Sequence, residues 1–375
     1  MSTNTSPAAI VPPATNMDPA RLGHWELFQR RFLRHRLAVG SAVVIIIFYL
    51  VALFADFLAT ADPRQSNWSR ATAAPQEIVW TFEGRFDPHV TAQVRTRDPA
   101  DLSVRYQSSP SVRIPVRMFV EGYEYQLFGL IPTRVHLFGT VGGAEVALHP
   151  LGTDLLGRCL YSRLLHAIRT SLVIGLASVA VSLALGVFMG LLSGFYGGTT
   201  DLLIQRLIEI LRAIPTIPLW MGLAAAIPAG WSVTSVYLTI TLIISLIGWT
   251  ELARELRGRV AVLRREDFVV AAELCGAGPG RIMAVHLLPS CLSHIIAATT
   301  LAIPTMIASE TALGFLGLGL RPPAISLGIL LKDAQSLQSI DMFPWLLIPV
   351  IPTAIIILAF NFLGDGLRDA ADPYA

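Results

Sequence analysis

The sequence predicts an all-α polytopic membrane protein with six transmembrane helices and a β-rich external insertion between helices 1 and 2. Three observations predict it. Of 375 residues, 53% are hydrophobic and only 14% are charged, whereas a soluble domain carries roughly 25% charged residues. The few charges are gathered together, leaving long uncharged runs at 37–55, 170–200 and 213–250. One stretch, 61–148, breaks that pattern with charges, aromatics and β-branched residues between turn signals. The net charge of +2 offers no strong field for nucleic acid. Cys159, Cys275 and Cys291 are too widely spaced for a disulfide framework or a zinc site.

Residues 1–36 form a cytoplasmic N-terminal segment. Its first twenty residues are rich in Pro, Ala, Thr and Ser and read as disordered. Arg30, Arg31, Arg34 and Arg36 then precede an apolar run. Such a cluster stays in the cytoplasm, so helix 1, at 37–60, leaves outward. The cluster is a topology signal first and a lipid contact second. In the insertion at 61–148, Glu77–Phe82, His89–Val94, Val112–Val120 and Tyr125–Leu130 read as short strands. The insertion reads either as a rigid cap on a pore mouth or as a docking face for an external protein.

The remaining core, 149–375, holds five more spans. The second, from Thr170 to Thr200, carries Ser178, Ser182, Gly186, Gly190, Gly194 and Gly198 four residues apart. That spacing makes one ridge of small residues, which suits close helix packing. The third span begins near Leu202, with bends expected at Pro215 and Pro218; Arg206 and Glu209 lie near its cytoplasmic end, as an ion pair or a gate. The fourth covers Ser232 to Gly248. A cytoplasmic connection at 251–289 follows, with Arg254, Arg257, Arg259, Arg264, Arg265 and Arg281. The fifth span, Ser290 to Leu316, contains Glu310. An intramembrane carboxylate is a functional candidate; Glu310 reads either as a pathway or gate residue or as a hydrogen-bonded packing residue. Residues 317–343 form an external stretch, Pro344 to Leu363 the sixth span, and the tail ends inside.

Only Lys332 of the 28 basic residues is a lysine, and no Gly-rich turn precedes it. A P-loop is therefore absent, and any ATP-driven motor belongs to another chain. A handle for such a motor stands at Glu266-Asp267-Phe268-Val269-Val270-Ala271-Ala272-Glu273-Leu274-Cys275-Gly276. Acidic residues open this segment and glycine closes it, as in a short helix outside the bilayer.

That segment resembles the signature of ATP-binding-cassette importer permeases: Glu-Ala-Ala, three residues, Gly, nine residues, Ile-x-Leu-Pro. Ala271, Ala272, Gly276, Leu288 and Pro289 match at the right spacing, while Val270 replaces the Glu and His286 the Ile. His149 to Arg158, Ser162-Arg163 and Arg169 to Leu172 resemble the oligopeptide/dipeptide/nickel branch and its second, C-type permease subunit. So do Gly314 to Gly319 with Pro322-Pro323, Phe360 to Asp369, and Asp372-Pro373. Cys159 stands where that branch has an Asp, and Leu327 where it has a Trp.

The resemblance implies the type I importer permease fold in a bacterial inner membrane, with both termini cytoplasmic. It implies a homologous second permease, two ATPase subunits docked on coupling helices, and a periplasmic or extracellular substrate-binding protein. This chain would supply half the pore and bind no cofactor, ATP and Mg being used by the ATPases. Coupling would involve Glu266, Asp267, Phe268, Val270, Ala271, Ala272, Glu273, Gly276, His286, Leu288 and Pro289. A charge at Ala272 is expected to break docking. The substrate is a peptide, with oligosaccharide and nickel as alternatives within the branch. A secondary transporter would show repeated halves with broken helices, and none is read; no His-Glu-x-x-His motif points to a membrane enzyme.

Overall fold

A computed structural model describes residues 24–371, apart from 83, 98–103, 142–146, 229 and 321–322. The first twenty residues, Pro322 and the Asp372-Pro373 pair lie outside the described residues.

Helix α1 (His24–Arg34) carries Arg30, Arg31 and Arg34 and stops at His35, whose Nδ1 accepts from the Ala38 N–H at 3.1 Å and so caps α2 (Arg36–Leu53), which opens with Arg36. A short turn, α3 (Ala55–Leu58), leads out of this first span. The insertion is an antiparallel meander of β1 (Ile78–Phe82), β2 (Arg85–Arg97), β3 (Val104–Leu127) and β4 (Ile131–Thr140), in that spatial order. The expected strands Val112–Val120 and Tyr125–Leu130 are parts of one long β3 and the turn after it. A register break between Glu121 and Tyr125 divides the strand, and Gly122 sits there because a Cβ would come within 2.5 Å of the His136 ring. Strand β4 is missing from the sequence reading. Pro132 argues against a strand, but it is tolerated on an edge, which is where β4 lies.

Helix α4 (Leu160–Tyr196) runs beside α7 (Val233–Leu263) in the same direction. The ridge of small residues is the seam. A Cβ on Gly186, Gly190 or Gly194 would lie 2.7–3.0 Å from Leu252, Leu256 or Val260. Nearer the start of the seam, the Ser245 hydroxyl donates to the Ser178 carbonyl at 3.0 Å. Gly198 is not part of the seam: it has a φ of +55° and open space beside it. It starts α5 (Gly198–Ala213), which meets α6 (Thr216–Ala225) at an 84° bend. Pro215 forces that break, holding Ile214 extended and lacking an N–H of its own.

Helix α7 continues through Leu263, so the first part of the expected 251–289 connection is helical. Its Ala253, Leu256 and Val260 are fully buried, which gives the polar-looking stretch an apolar face. After α8 (Asp267–Leu274) and α9 (Pro279–Arg281), a π-helical turn (Ile282–Leu287) runs into α10 (Leu288–Phe315). Pro289 accounts for the turn: its ring displaces the carbonyl four residues back and it has no N–H to donate.

The expected external stretch at 317–343 contains α11 (Leu327–Asp333) and α12 (Leu337–Met342). Helix α11 folds back into the core. Its Gly328 meets Gly314 of α10 so closely that a Cβ would be 2.8 Å from the Gly314 Cα. Helix α13 (Val350–Ala371) ends the fold, and its Phe360 packs edge-on against Tyr49 of α2.

Among the described residues, five helical stretches are long and apolar enough to cross a membrane: 36–53, 160–196, 233–263, 279–315 and 344–370. The bent α5–α6 pair makes a sixth if counted as one span.

Candidate coupling helix and translocation cleft

Helix α8 is eight residues long, too short to stand without tertiary support. Val269 is fully buried and Ala272 half-buried; both join a cluster with Leu191 and Phe195 of α4, Leu256 and Val260 of α7, and Ile282, Leu287 and Cys291 beyond. At its end, the Gly276 N–H donates to the Glu273 carbonyl at 2.9 Å and the Ala277 N–H to the Ala272 carbonyl at 3.0 Å. These two bonds make a Schellman closure, which needs a left-handed residue; Gly276, at φ +82°, supplies it. The sequence signal of a glycine after the helix thus has a specific structural cause.

The opposite side of α8 is open. Glu266, Asp267, Phe268, Val270, Ala271, Glu273 and Leu274 are exposed, Leu274 to 85%. With 100° per residue, Asp267, Val270, Ala271 and Leu274 share one outward face, centred away from Val269. Ala272, where a charge was expected to break docking, turns inward. An Asp there would unseat the helix from its own cluster rather than enter a partner surface. His286 is half-buried in the π turn, and its carbonyl accepts from the Ser290 hydroxyl at 2.7 Å. Leu288 packs on the α8 cluster, while Pro289 is exposed.

A cleft of about 570 Å³ opens between α6, α7 and α10. Trp220, Gly248, Met306 and Ser309 line it, with Arg212, Glu251 and Glu255 adding charge. Gly248 lets α10 approach here, since a Cβ would lie 2.1 Å from the Met306 methyl. Glu255 reaches His294 of α10 at 3.2 Å.

Neither Arg206 nor Glu209 lines the cleft. They pair with each other at 2.7 Å on the exposed side of α5, Glu209 one turn before Arg212 and Arg206 nearly two. Glu310 is also outside it, 1% exposed inside the subunit. Its Oε2 accepts from the Ser171 hydroxyl of α4 at 2.7 Å, and that hydroxyl oxygen accepts from the Leu327 N–H of α11 at 3.2 Å. Glu310 therefore joins three helices. Glu251 and Glu255 were missed because the sequence places them in a loop; their i,i+4 spacing on a continuing helix is the signal that would have found them.

Before α4, His149 to Arg158 form a tied loop. The Asp154 carboxylate accepts from the backbone N–H groups of Leu156 and Arg158, both at 2.9 Å, and from the Arg158 side chain at 2.7 Å. Arg163 of α4 lies 3.2 Å from Asp154 and 3.6 Å from Asp333 of α11. Cys159, in the place of the branch's Asp, is buried between the Thr60 hydroxyl and the Leu148 carbonyl. Burial, with the Arg70 charge nearby, pushes His149 down to about 4. Among the described residues, no cluster of His, Cys, Asp or Glu could hold a metal ion.

A family model described as "Binding-protein-dependent transport system inner membrane component" matches residues 186–374. The chain belongs to that family. The permease is also matched at residues 23–75 by the "N-terminal TM domain of oligopeptide transport permease C", which places it in the C-type oligopeptide branch. It is 36% identical over 243 residues to the dipeptide transport system permease protein DppC of Lactococcus lactis subsp. cremoris, covering 64% of this chain and 68% of that one. Against the oligopeptide transport system permease protein OppC of Bacillus subtilis, identity is 37%, covering 60% and 72%. Against the di/tripeptide transport system permease protein DppC of Pseudomonas aeruginosa it is 40%, covering 60% and 71%. A solved inward-facing structure of the MetNI methionine ABC transporter overlaps with a TM-score of 0.41 at 18% identity, over 54% of this chain and 95% of that one. The two family matches take in α1–α3, α8, the cleft and Glu310 of the permease. Among the described residues, strands β1 to β4 fall between them.

Proposed function

We propose that this permease forms half the pore of an ATP-driven importer and receives the motor's movement at α8. The observation that carries the reading is the outward face of Asp267, Val270, Ala271 and Leu274 on a helix whose inward face is locked to α4, α7 and α10. A surface of that kind transmits displacement, because a close-packed interior does not deform smoothly. Val270, standing where the signature has Glu, makes this face more apolar, so docking relies more on burial than on a charge contact. The partners are a homologous second permease, two ATPases that use ATP and Mg, and an external substrate-binding protein. The chain itself holds no catalytic residue or cofactor.

The cleft between α6, α7 and α10 is the permease's share of the pathway, and Glu310 holds its outer architecture through Ser171 and α11. Both termini are assigned to the cytoplasm and the sheet to the outside, a reading supported by the arginine clusters before α2 and around the end of α7. The sheet acts as a cap over the pore mouth. The substrate is a peptide, supported by the names of the relatives.

Leu274→Asp tests the reading. A charge on so exposed a side chain leaves the fold alone but opposes burial against a partner. The expected result is loss of co-purifying ATPase and of ATP-dependent uptake of a labelled dipeptide into vesicles, with the amount of folded permease unchanged. Full co-purification and uptake would overturn it.

A further inference from the structure

We infer that the β3–β4 hairpin tip is a lipid anchor, seated in the membrane leaflet around the C-terminal end of α2. The tip reads Phe128-Gly129-Leu130-Ile131, with Phe128, Leu130 and Ile131 exposed to 49%, 83% and 57%. Met118 and Phe119, further back on β3, are exposed to 66% and 65%. Exposed hairpin turns ordinarily carry polar residues and glycine. Phe119 and Phe128 both have positive φ, at 56° and 55°, a region that Asn or Gly adopts with less steric conflict. The backbone conformation thus gives no reason for phenylalanine at either place. The side chains need a reason of their own.

That reason lies in what they touch. The Phe128 ring sits 5.5 Å from the ring of Phe54, the residue that ends α2, and the Phe119 ring 6.4 Å from that of Phe57 in α3. The hairpin therefore comes down to the level where the first span ends. There it is continuous with the open apolar face of α2: Val43, Ile46, Ile47, Leu50 and Leu53. Beside the hairpin's contacts, on α2 and α3 themselves, lies an open crevice of about 310 Å³ lined by Ile47, Leu50, Val51, Phe54, Phe57 and Leu58, all apolar. A span of a multi-pass membrane protein presents such a face to acyl chains, and the same chains fit the crevice. Phe and Leu side chains at the depth of a span's end suit insertion into the boundary between headgroups and acyl chains. The occupant is bilayer lipid: acyl chains in the crevice, with the turn embedded beside them.

The test uses spin-labelled cysteines in the assembled complex in liposomes, in a Cys275→Ser background because Cys275 is the exposed native thiol. One label stands at Leu130→Cys. The other stands at Val94→Cys, which is 52% exposed and pairs with Gln107 near the other end of β3. Collision rates with oxygen, which concentrates in lipid, are compared with those of a water-soluble nickel chelate. The inference expects the accessibility ratio at Leu130 to shift toward oxygen and that at Val94 toward the chelate. Equal chelate access at both positions overturns it. So does a Leu130 label shielded from both reagents, which would show that protein covers the tip.

Discussion

Adding one methyl group to the α4–α7 seam should loosen the permease by an amount the geometry sets. In Gly194→Ala the new Cβ would lie 2.7 Å from the Val260 Cβ and 2.8 Å from the Arg257 carbonyl oxygen. Neither neighbour can swing aside, since one is backbone and the other the root of a branched side chain. Overpacking of this kind costs about 1–3 kcal/mol. Replacing a helical glycine with alanine returns up to about 1 kcal/mol, leaving a net loss of up to about 2 kcal/mol, toward the upper end here because both contacts are with atoms that cannot yield. Gly186→Ala should lose less, because its contacts begin at 3.0 Å and include the movable end of Leu252. Gly222→Ala in α6 meets nothing within 4 Å and should be neutral or mildly stabilising. The assay is stepwise heating of the purified complex in detergent, reading the fraction still monodisperse. The expected order of midpoints is Gly222→Ala at or above the parent, then Gly186→Ala, then Gly194→Ala. A Gly194→Ala midpoint at or above that of the parent would refute the seam argument.

Three further outcomes are expected. Burial holds His149 down at about 4 in the folded chain against about 6.5 when free, so its stabilising effect is complete above pH 6.5 and is lost as pH falls toward 4, by roughly 3 kcal/mol; hydrogen-exchange protection factors at 148–158, which discount the slower intrinsic exchange in acid, should fall at pH 4.5, and His149→Gln should flatten that dependence. Gly276→Ala meets no atom within 4 Å, so its cost is the left-handed backbone alone, about 1–2 kcal/mol; ATPase co-purification should weaken, and Gly276→Asn should recover part of it. Glu310→Gln can still accept from Ser171 and should assemble normally, whereas Glu310→Ala leaves that hydroxyl without its acceptor and should lower the yield of complex on size exclusion.

The sequence revealed the parts of the permease whose physics is local and failed where tertiary contacts decide. The small-residue ridge was legible because 3.6-residue periodicity puts every fourth residue on one face, and the seam uses Gly186, Gly190 and Gly194 as that predicts. Its last member, Gly198, follows the spacing but starts a new helix, since the positive φ of Gly197 ends the old one. The close of α8 was legible in Gly276. Which side of α8 faces inward was not, because Val269, Val270, Ala271 and Ala272 are all apolar and only the packing of Val269 distinguishes them. Glu251 and Glu255 looked like loop charges because a helix leaving a membrane changes composition without changing conformation. Helix α11 was hidden for the opposite reason: seven residues between turn signals carry no periodicity, and Gly328 against Gly314 holds it in place.

On the proposed function, the pattern of tight and loose contacts decides which parts can move. Helices α4 and α7 meet through glycines with no spare space, and the Asp201–Arg257 pair, with its bonds of 2.7 and 2.5 Å, fastens α5 to α7. These three helices are expected to travel as one body. Helix α10 packs as closely in its second half, where Ile307 fills the space beside Gly175 and Glu310 holds Ser171, but it is attached differently at its start. At the α8 cluster it begins in a π turn, where hydrogen bonds run to the fifth residue instead of the fourth, and Pro289 follows without a donor. A push on α8 is delivered to both sides through the shared cluster, but only the α10 side has a loosened turn to absorb it. The cleft has α7 on one wall and α10 on the other, so its width is the quantity such a push would change. Where α10 passes Gly248, the Met306 side chain fills the space against α7. A flexible thioether there can follow a sliding helix without leaving a void, which a branched side chain in the same place could not do.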